Sequence, residues 1–407
     1  MKTALLPAVL ATADGREADA ILRACVHCGL CTATCPTYQL LGNELDSPRG
    51  RIYLIKEALE GGEVSKITLN HLDRCLTCQA CETTCPSGVN YHRLLDTGRA
   101  YVENAVGRAW TGRLARLLVR AAMTRRGRFA LLLTLGQWFR PLLPGAIKSL
   151  VPIKRPVASP VPQNQPRQVI LFQGCVQPGL SPQTNRAATR VLNRLGIGAQ
   201  TIKAENCCGA LSYHSGAREE GLRFARANID AWVPVLEQGA ECLVFTASGC
   251  SNFVQDYAHL LAGDPEYVDR AEQVVKAMRD VSEVLDSEDL SGLELRPAPA
   301  TVLHCPCTLQ HGQNLATTTK SVLQRSGFQL PGVRDEHECC GSAGAYSIFN
   351  SEIAGQLRDK KLVALSESEP DLIVTANIGC QTHLASRSSK PVRHWIEALA
   401  DRLIDKD

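Results

Sequence analysis

Apolar positions recur at helical spacing through Ile52, Leu54, Ile55, Ala58 and Leu59. Asp46 or Ser47 can cap this stretch, Pro48 suits its first turn and Gly61 and Gly62 end it, so a helix is expected here. A second helical pattern runs from Arg113 to Phe139 (RLARLLVRAAMTRRGRFALLLTLGQWF), mixing arginines with leucines and closing on Trp138 and Phe139. A basic amphipathic helix with an aromatic rim suits a membrane interface or a subunit groove, and it also suits a solvated connecting helix. Beyond it the period changes. Four short apolar runs, VILF (169–172), CLVF (242–245), TVLH (301–304) and DLIV (371–374), read as buried strands, and the helical patterns NRAATRVLNRLG and TTTKSVLQRSG follow the first and third. Strands alternating with helices predict parallel sheets in an α/β region.

Cysteine spacing changes the picture most. Cys25, Cys28, Cys31 and Cys35 (CVHCGLCTATCP) recur fifty positions later as Cys75, Cys78, Cys81 and Cys85 (CLTCQACETTCP). Each run reads CxxCxxCxxxCP, the spacing in which three thiolates grip one iron–sulfur cube while the fourth reaches across to the other cluster. Cys25, Cys28, Cys31 and Cys85 are therefore expected to hold one 4Fe-4S cluster, and Cys75, Cys78, Cys81 and Cys35 the second. Soft sulfur suits iron in a sulfide cube better than imidazole or carboxylate does. Structural zinc is the alternative, but it favours paired CxxC motifs without a crossed fourth ligand. The helix expected between the runs makes this an α-helical ferredoxin-type domain, which resembles the cluster-bearing half of the iron–sulfur subunits of succinate dehydrogenase and fumarate reductase.

The α/β region is itself duplicated. VILFQGC, ending at Cys175, matches TVLHCPC, ending at Cys307, and the CCG of Cys207, Cys208 and Gly209 matches that of Cys339, Cys340 and Gly341. TASGC, ending at Cys250, pairs with ANIGC, ending at Cys380. The cysteines thus sit at carboxyl ends of strands and in the loops beyond, where open α/β sheets build their sites. Gly209 and Gly341 free the backbone so that adjacent thiols can face one centre. A further iron–sulfur or metal site is expected at Cys175, Cys207, Cys208 and Cys250, at Cys305, Cys307, Cys339, Cys340 and Cys380, or at both; the alternative is buried structural thiols. Cys242, which has no duplicate, is read as packing. His304, His311 and His383 flank these loops and are read as satisfied polar residues, with metal ligation or proton donation as the alternative.

The chain has 407 residues, 44% hydrophobic and 21% charged, with a net charge of +3. That describes an ordinary globular protein and excludes disorder, a fibre and a disulfide miniprotein. Eighteen cysteines exceed what packing calls for and suit a reducing compartment. No run of 18 apolar residues occurs, so a transmembrane helix is not expected, and residues 1–20 are not read as a signal peptide. Between Asn104 and Ala204 there is no acidic residue but there are sixteen Lys and Arg, a footprint for something negative. Nucleic acid is disfavoured because no reader module accompanies it. Pro152, Pro156, Pro160, Pro162 and Pro166 predict a stiff tether. The expected organisation is a helical dicluster ferredoxin domain (1–103), a basic helical segment and Pro-rich linker (104–166), and two CCG repeats (167–290 and 291–407). No GxGxxG fingerprint or P-loop is visible, so no flavin or nucleotide is expected on this chain. Arg23, Arg49, Arg51, Arg74 and Arg93 lie near the cluster loops; each is read as a surface residue, with raising the cluster potentials as the alternative.

Taken with ACVHCGLCTATCPTYQLLG, DSPRGRIYLIKEALEGGEV, HLDRCLTCQACETTCPSGVNYH, HCPCTLQH, CCGSAGAY and IVTANIGCQTHLAS, the whole chain resembles the iron–sulfur subunits of bacterial glycolate oxidases (glycolate dehydrogenases). The resemblance implies a heteromeric complex with two FAD-type subunits that oxidise glycolate to glyoxylate. It also implies electron delivery to a membrane quinone, with this chain peripheral on the cytoplasmic face of the inner membrane and binding no substrate itself. Related CCG domains imply two alternatives: an electron-transfer subunit for lactate or glycerol-3-phosphate oxidation, or a reductase of a thiol or disulfide substrate. The CCG motif of heterodisulfide reductase ends in CxxC, whereas each repeat here ends in a single Gly-Cys, at Cys250 and Cys380.

Overall fold

A computed structural model of the chain describes residues 1–142 and 165–404. Most of the proline tether expected from the sequence lies outside the described residues. The first region is helical: α1 (Ala13–Ala24), α2 (Pro48–Leu59), α3 (Lys66–Asp73) and α4 (Tyr91–Val106). Each of the first three begins on a hydroxyl cap. Thr12 accepts from the Gly15 amide at 3.0 Å, Ser47 from Gly50 at 2.9 Å, and Ser65 from Ile67 and Thr68, satisfying amides that a helix start leaves open. The apolar faces of α1 to α4 meet in a core of Leu22, Ile55, Leu59, Leu72, Leu94 and Leu95, all sealed from solvent. Gly98 lets α4 lie against α2, since a Cβ there would sit 2.5 Å from Ile55.

The single amphipathic helix expected from Arg113 to Phe139 is two helices, α5 (Trp110–Met123) and α6 (Arg126–Trp138). Buried Thr124 folds its hydroxyl onto the Arg120 carbonyl at 2.7 Å and Arg125 takes an extended backbone, so the chain doubles back into a hairpin. Its inner face is pinned to the body. Arg116 pairs with Asp73 at 3.1 Å and lies over the Phe349 ring, Arg120 pairs with Glu220, and Phe129 and Leu133 rest on Gly179. Its outer face carries Trp110, Leu117, Leu118, Leu131, Trp138 and Phe139, all more than half exposed.

The duplicated region forms two parallel sheets. The first orders β1 (Arg167–Leu171), β2 (Ile197–Gln200), β3 (Leu243–Phe245) and β4 (Met278–Asp280) as β2-β1-β3-β4, and the second orders β5 (Thr301–His304), β6 (Leu372–Thr375) and β7 (Val392–His394) in sequence. Among the described residues the second sheet has no counterpart of β2. The repeats exchange helices. α7 (Pro182–Arg194), which follows β1, packs on the helix that follows β7 (Trp395–Ala400), while the helix after β4 (Val281–Asp286) packs on the one following β5 (Ala316–Arg325). One core therefore spans both repeats, from Val169, Val191 and Leu192 to Val322, Val374 and Trp395. Cys339 of the second CCG turn packs against Leu76, Cys78 and Ala80 of the helical region.

Candidate functional site

The two ferredoxin-type loops share a backbone design. In the first, His27 and Gly29 have φ of 60° and 85°; in the second, Thr77 and Gln79, fifty positions on, have 53° and 61°. Left-handed backbone at three non-glycine residues is costly, of order 1–3 kcal/mol each, and such strain clusters where function holds it. These turns curl each CxxCxxC run around a cavity.

One cavity is lined by Cys25, Cys28, Cys31 and Cys85. The other is lined by Cys35, Cys75 and Cys78. Pro48, Cys81 and Tyr91 line both, so the two spaces share a wall. Each expected quartet is thus assembled around one space, including the cysteine contributed from the other run.

The residues fit iron–sulfur cubes. All eight donors are soft sulfurs that no disulfide consumes. Burial pushes three of the thiols up, Cys31 to about 11 and Cys78 and Cys81 well above their ordinary value, with neighbouring sulfurs adding to the effect. A bare thiolate is not stabilised at those three positions, and a bound cationic centre would make these donors usable. The Tyr91 hydroxyl, in the shared wall, is buried without a hydrogen-bond partner among the described residues, as is His27 Nε2 beside the first cavity. Both are positioned to meet ligand atoms there.

Beside the second cavity lies a polar network centred on buried Asp46 and Arg51. Asp46 meets His71 Nδ1 at 2.9 Å, Arg74 at 3.0 Å and Arg51 at 3.5 Å. Arg51 also donates to the His71 carbonyl at 2.7 Å and to Thr37 Oγ1 at 3.1 Å, and the Thr37 hydroxyl stands 3.3 Å from Cys35 Sγ. Burial opposes the charge on Arg51, but Cys75, Tyr91, Cys35 and Asp46 outweigh it and hold the guanidinium above its ordinary value. Of the five arginines singled out from the sequence, Arg51 and Arg49 line the cavities. Arg74 joins the Asp46 network, Arg93 binds Glu17 and Asp256, and Arg23 pairs with Asp19 at the surface.

Each CCG repeat also gathers its thiols. Sulfur contacts run from Cys175 to Cys207, Cys208 and Cys250 in the first repeat and from Cys307 to Cys339, Cys340 and Cys380 in the second, with Cys307 and Cys339 3.6 Å apart. Gly209 and Gly341 take φ of 98° and 87°, and a Cβ on either would lie 2.6 Å from a backbone carbonyl oxygen, that of Gly221 or of Ala354. No other residue fits these turns. Cys305 points into the core shared by the repeats, where burial carries it up to about 12. Cys242 packs partly against that core.

The histidines separate. His311 bonds Thr83 and the His337 carbonyl, and His383 bonds the Ala354 carbonyl at 3.1 Å, so both are satisfied. His304 is different. It is 2% exposed, its Nε2 has no partner among the described residues, and burial and Lys361 lower it to about 3, keeping it neutral.

Sequence spacing does not reveal how the regions dock. Leu76, Cys78 and Ala80 of the second loop form one buried cluster with Cys339, Tyr346 and Leu357 of repeat 2, and the Tyr346 hydroxyl donates to the Arg74 carbonyl at 3.0 Å. The Cys78 thiol is pushed up partly by Cys307, and Cys339 partly by Cys78. Repeat 1 meets the helical region through charges instead: Arg218 with Asp14, His214 with Asp96, and Asp256 with His92 and Arg93.

A dicluster helical domain joined to a duplicated thiol-gathering α/β unit defines the class: a two-module iron–sulfur protein. Residues 21–89 match the 4Fe-4S dicluster domain family, and residues 169–255 and 301–385 each match the cysteine-rich CCG domain family. The glycolate oxidase iron–sulfur subunit of Escherichia coli is 51% identical over the full length of both chains. A probable glycolate oxidase iron–sulfur subunit of Bacillus subtilis is 30% identical, covering 88% of this chain and 86% of its own. The chain therefore belongs to the family of glycolate oxidase iron–sulfur subunits, part of an oxidoreductase complex. Lactate utilization protein A of Bacillus subtilis is 24% identical over 58% of this chain and all of its own. In fold, a hypothetical protein from Helicobacter pylori superposes with a TM-score of 0.58 at 9% identity, covering 97% of this chain and 73% of its own.

Proposed function

We propose that this chain carries electrons from two flavin-bearing subunits, which oxidise glycolate to glyoxylate, toward a membrane quinone. The observation that carries this reading is the unbroken line of sulfur donors, from the first cavity through the wall shared with the second to the thiols of repeat 2. A four-iron cube bound in each cavity would supply one-electron carriage, the link needed between two-electron substrate oxidation and a distant acceptor. The ligands are Cys25, Cys28, Cys31 and Cys85 for the first and Cys75, Cys78, Cys81 and Cys35 for the second. Cys307, Cys339, Cys340 and Cys380 are the donors for a third centre, and Cys175, Cys207, Cys208 and Cys250 are gathered in the same way in repeat 1.

This chain's residues do the rest. Left-handed loop residues present the sulfurs, Tyr91 separates the cavities and excludes water, and Arg51 places a permanent positive charge beside Cys35 and Cys75. That charge favours the reduced, more negative state of whatever the second quartet holds, which makes the second site the better electron acceptor.

The α5–α6 hairpin is the face proposed to meet the lipid headgroups. Trp110 and Trp138, 74% and 77% exposed, mark the ends of an apolar surface within a region that carries no acidic side chain. This is the composition of helices that lie in an anionic interface. No helix among the described residues is long and apolar enough to cross a membrane.

Iron and acid-labile sulfide on anaerobically purified chain test the reading. About eight irons per chain are expected from two cubes, with any excess assigned to the CCG thiols. A value well below eight with no broad absorbance near 400 nm contradicts it.

A further inference from the structure

Among the positions at which the two CCG repeats differ is one three residues before Cys175 and Cys307, where the first strand of each runs out. In repeat 1 it is Phe172, packed among Trp232 and Phe245 with ring centroids 5.5 and 5.0 Å away. In repeat 2 it is His304. One ring nitrogen of His304 and the sulfurs of Cys340 and Cys380 all lie within 4.8 Å of one another. Nothing else explains a histidine here, because a buried imidazole nitrogen without a hydrogen bond is costly. A neutral imidazole beside thiolates is a familiar metal-binding combination.

We propose that repeat 2 holds a transition-metal centre with mixed ligation, in which His304 supplies a nitrogen ligand beside the sulfurs of Cys340 and Cys380, whereas repeat 1 offers sulfur alone. Buried Lys361, whose ammonium donates to the Asp335 carbonyl at 2.6 Å, stands near Cys339, Cys340 and Cys307 and offsets part of the negative charge such a centre would bring. The inference deepens the reading of repeat 2 as a third site. Iron–sulfur and zinc centres share this donor chemistry, and the test separates them.

The full chain, produced anaerobically with [15N]histidine, is analysed for iron and zinc beside His304→Phe, which installs the residue of repeat 1, and His304→Cys, which keeps a ligand. The expected result is metal beyond about eight irons in the unmodified chain, as further iron or as one zinc. That excess is lost in His304→Phe and retained in His304→Cys. If the excess is iron, pulsed EPR of the reduced chain shows a 15N coupling; if it is zinc, absorption at the zinc edge shows one nitrogen among sulfurs. These spectra decide the matter even where His304→Phe does not fold. Eight irons with nothing beyond, an all-sulfur coordination sphere, or an undiminished excess in a folded His304→Phe would each overturn the inference. The first leaves the two ferredoxin centres standing, whereas fewer than eight irons defeats the broader reading instead.

Discussion

The two CCG repeats have the same scaffold and opposite relations to the rest of the molecule. Both end their first strand near a cysteine, both force a glycine into a left-handed turn, and both line up four thiols. Repeat 1 then walls its thiols with aromatics, including the near-parallel pair Trp232 and Tyr257, and reaches the helical region through ion pairs. Repeat 2 lays its thiols directly against the second ferredoxin-type loop, through Cys78, Cys339 and Tyr346. The difference teaches that duplication supplied one geometry that was then divided: the first copy clamps the modules together, and the second continues the line of donors. Exposed or half-exposed ion pairs hold orientation at little net energy, whereas a dry apolar contact excludes water from the space between donors.

The sharpest way to break that comparison is to remove matching thiols. Cys340→Ser is expected to lower glycolate-to-quinone turnover at least about tenfold, with Cys208→Ser well above it, while Cys78→Ser, in the contact itself, lowers turnover about a hundredfold or more because an interrupted donor line has no bypass. Turnover measured beside iron content checks this, and equal losses in Cys208→Ser and Cys340→Ser would erase the distinction.

The next test concerns what the copies share. Gly209→Ala and Gly341→Ala each add a Cβ 2.6 Å from a backbone oxygen at positive φ, so each is expected to cost roughly 3 kcal/mol. Thermal unfolding should show similar losses in both.

The clamp has its own pH signature. Burial opposes charge on His92, but the Asp256 carboxylate, 3.6 Å from Nε2, and the hydrogen bond between Nδ1 and Glu82 outweigh it and carry the imidazole up to about 10. That exceeds the value of about 6.5 for an unfolded histidine, so the stabilisation is fully present below about pH 6.5 and is lost as pH rises through about 10. His92→Gln should destabilise the protein by about 2 kcal/mol at pH 6 and flatten the decline toward pH 10; a denaturation series across pH measures both.

The smallest expected effect lies farthest from the thiols. Replacing Trp110 and Trp138 with Ser should weaken sedimentation with anionic vesicles roughly tenfold and leave cluster spectra unchanged, since each ring contributes one to a few kcal/mol of burial at an interface.

Much of this organisation was legible because it is written locally. The spacing of Cys25 to Cys35 and of Cys75 to Cys85 sets how sulfurs can meet, and Ser47-Pro48 marks the start of α2. Strands β1, β3, β5 and β6 announced themselves as apolar runs. β2 (IGAQ), β4 (MRD) and β7 (VRH) did not, because glycine and polar residues break their apolar runs. The break at Thr124 hid inside a continuous helical pattern, since only burial of that threonine turns the chain. His304 was the instructive case. In sequence it is one more polar residue after a strand, and only the folded repeat shows that its Nε2 has no partner and that two sulfurs lie beside it. The contact of Cys78 with Cys339 likewise joins residues too distant in sequence for any spacing rule.

The central claim is that the eight thiols form two crossed quartets around iron, adjoining a third set in repeat 2. Anomalous scattering at the iron edge from anaerobically grown crystals tests it directly. The expected result is one iron peak within Cys25, Cys28, Cys31 and Cys85 and a second within Cys75, Cys78, Cys81 and Cys35. Tetrahedral zinc in those places, or iron bound by each run's own four cysteines without the exchange of Cys35 and Cys85, would contradict it.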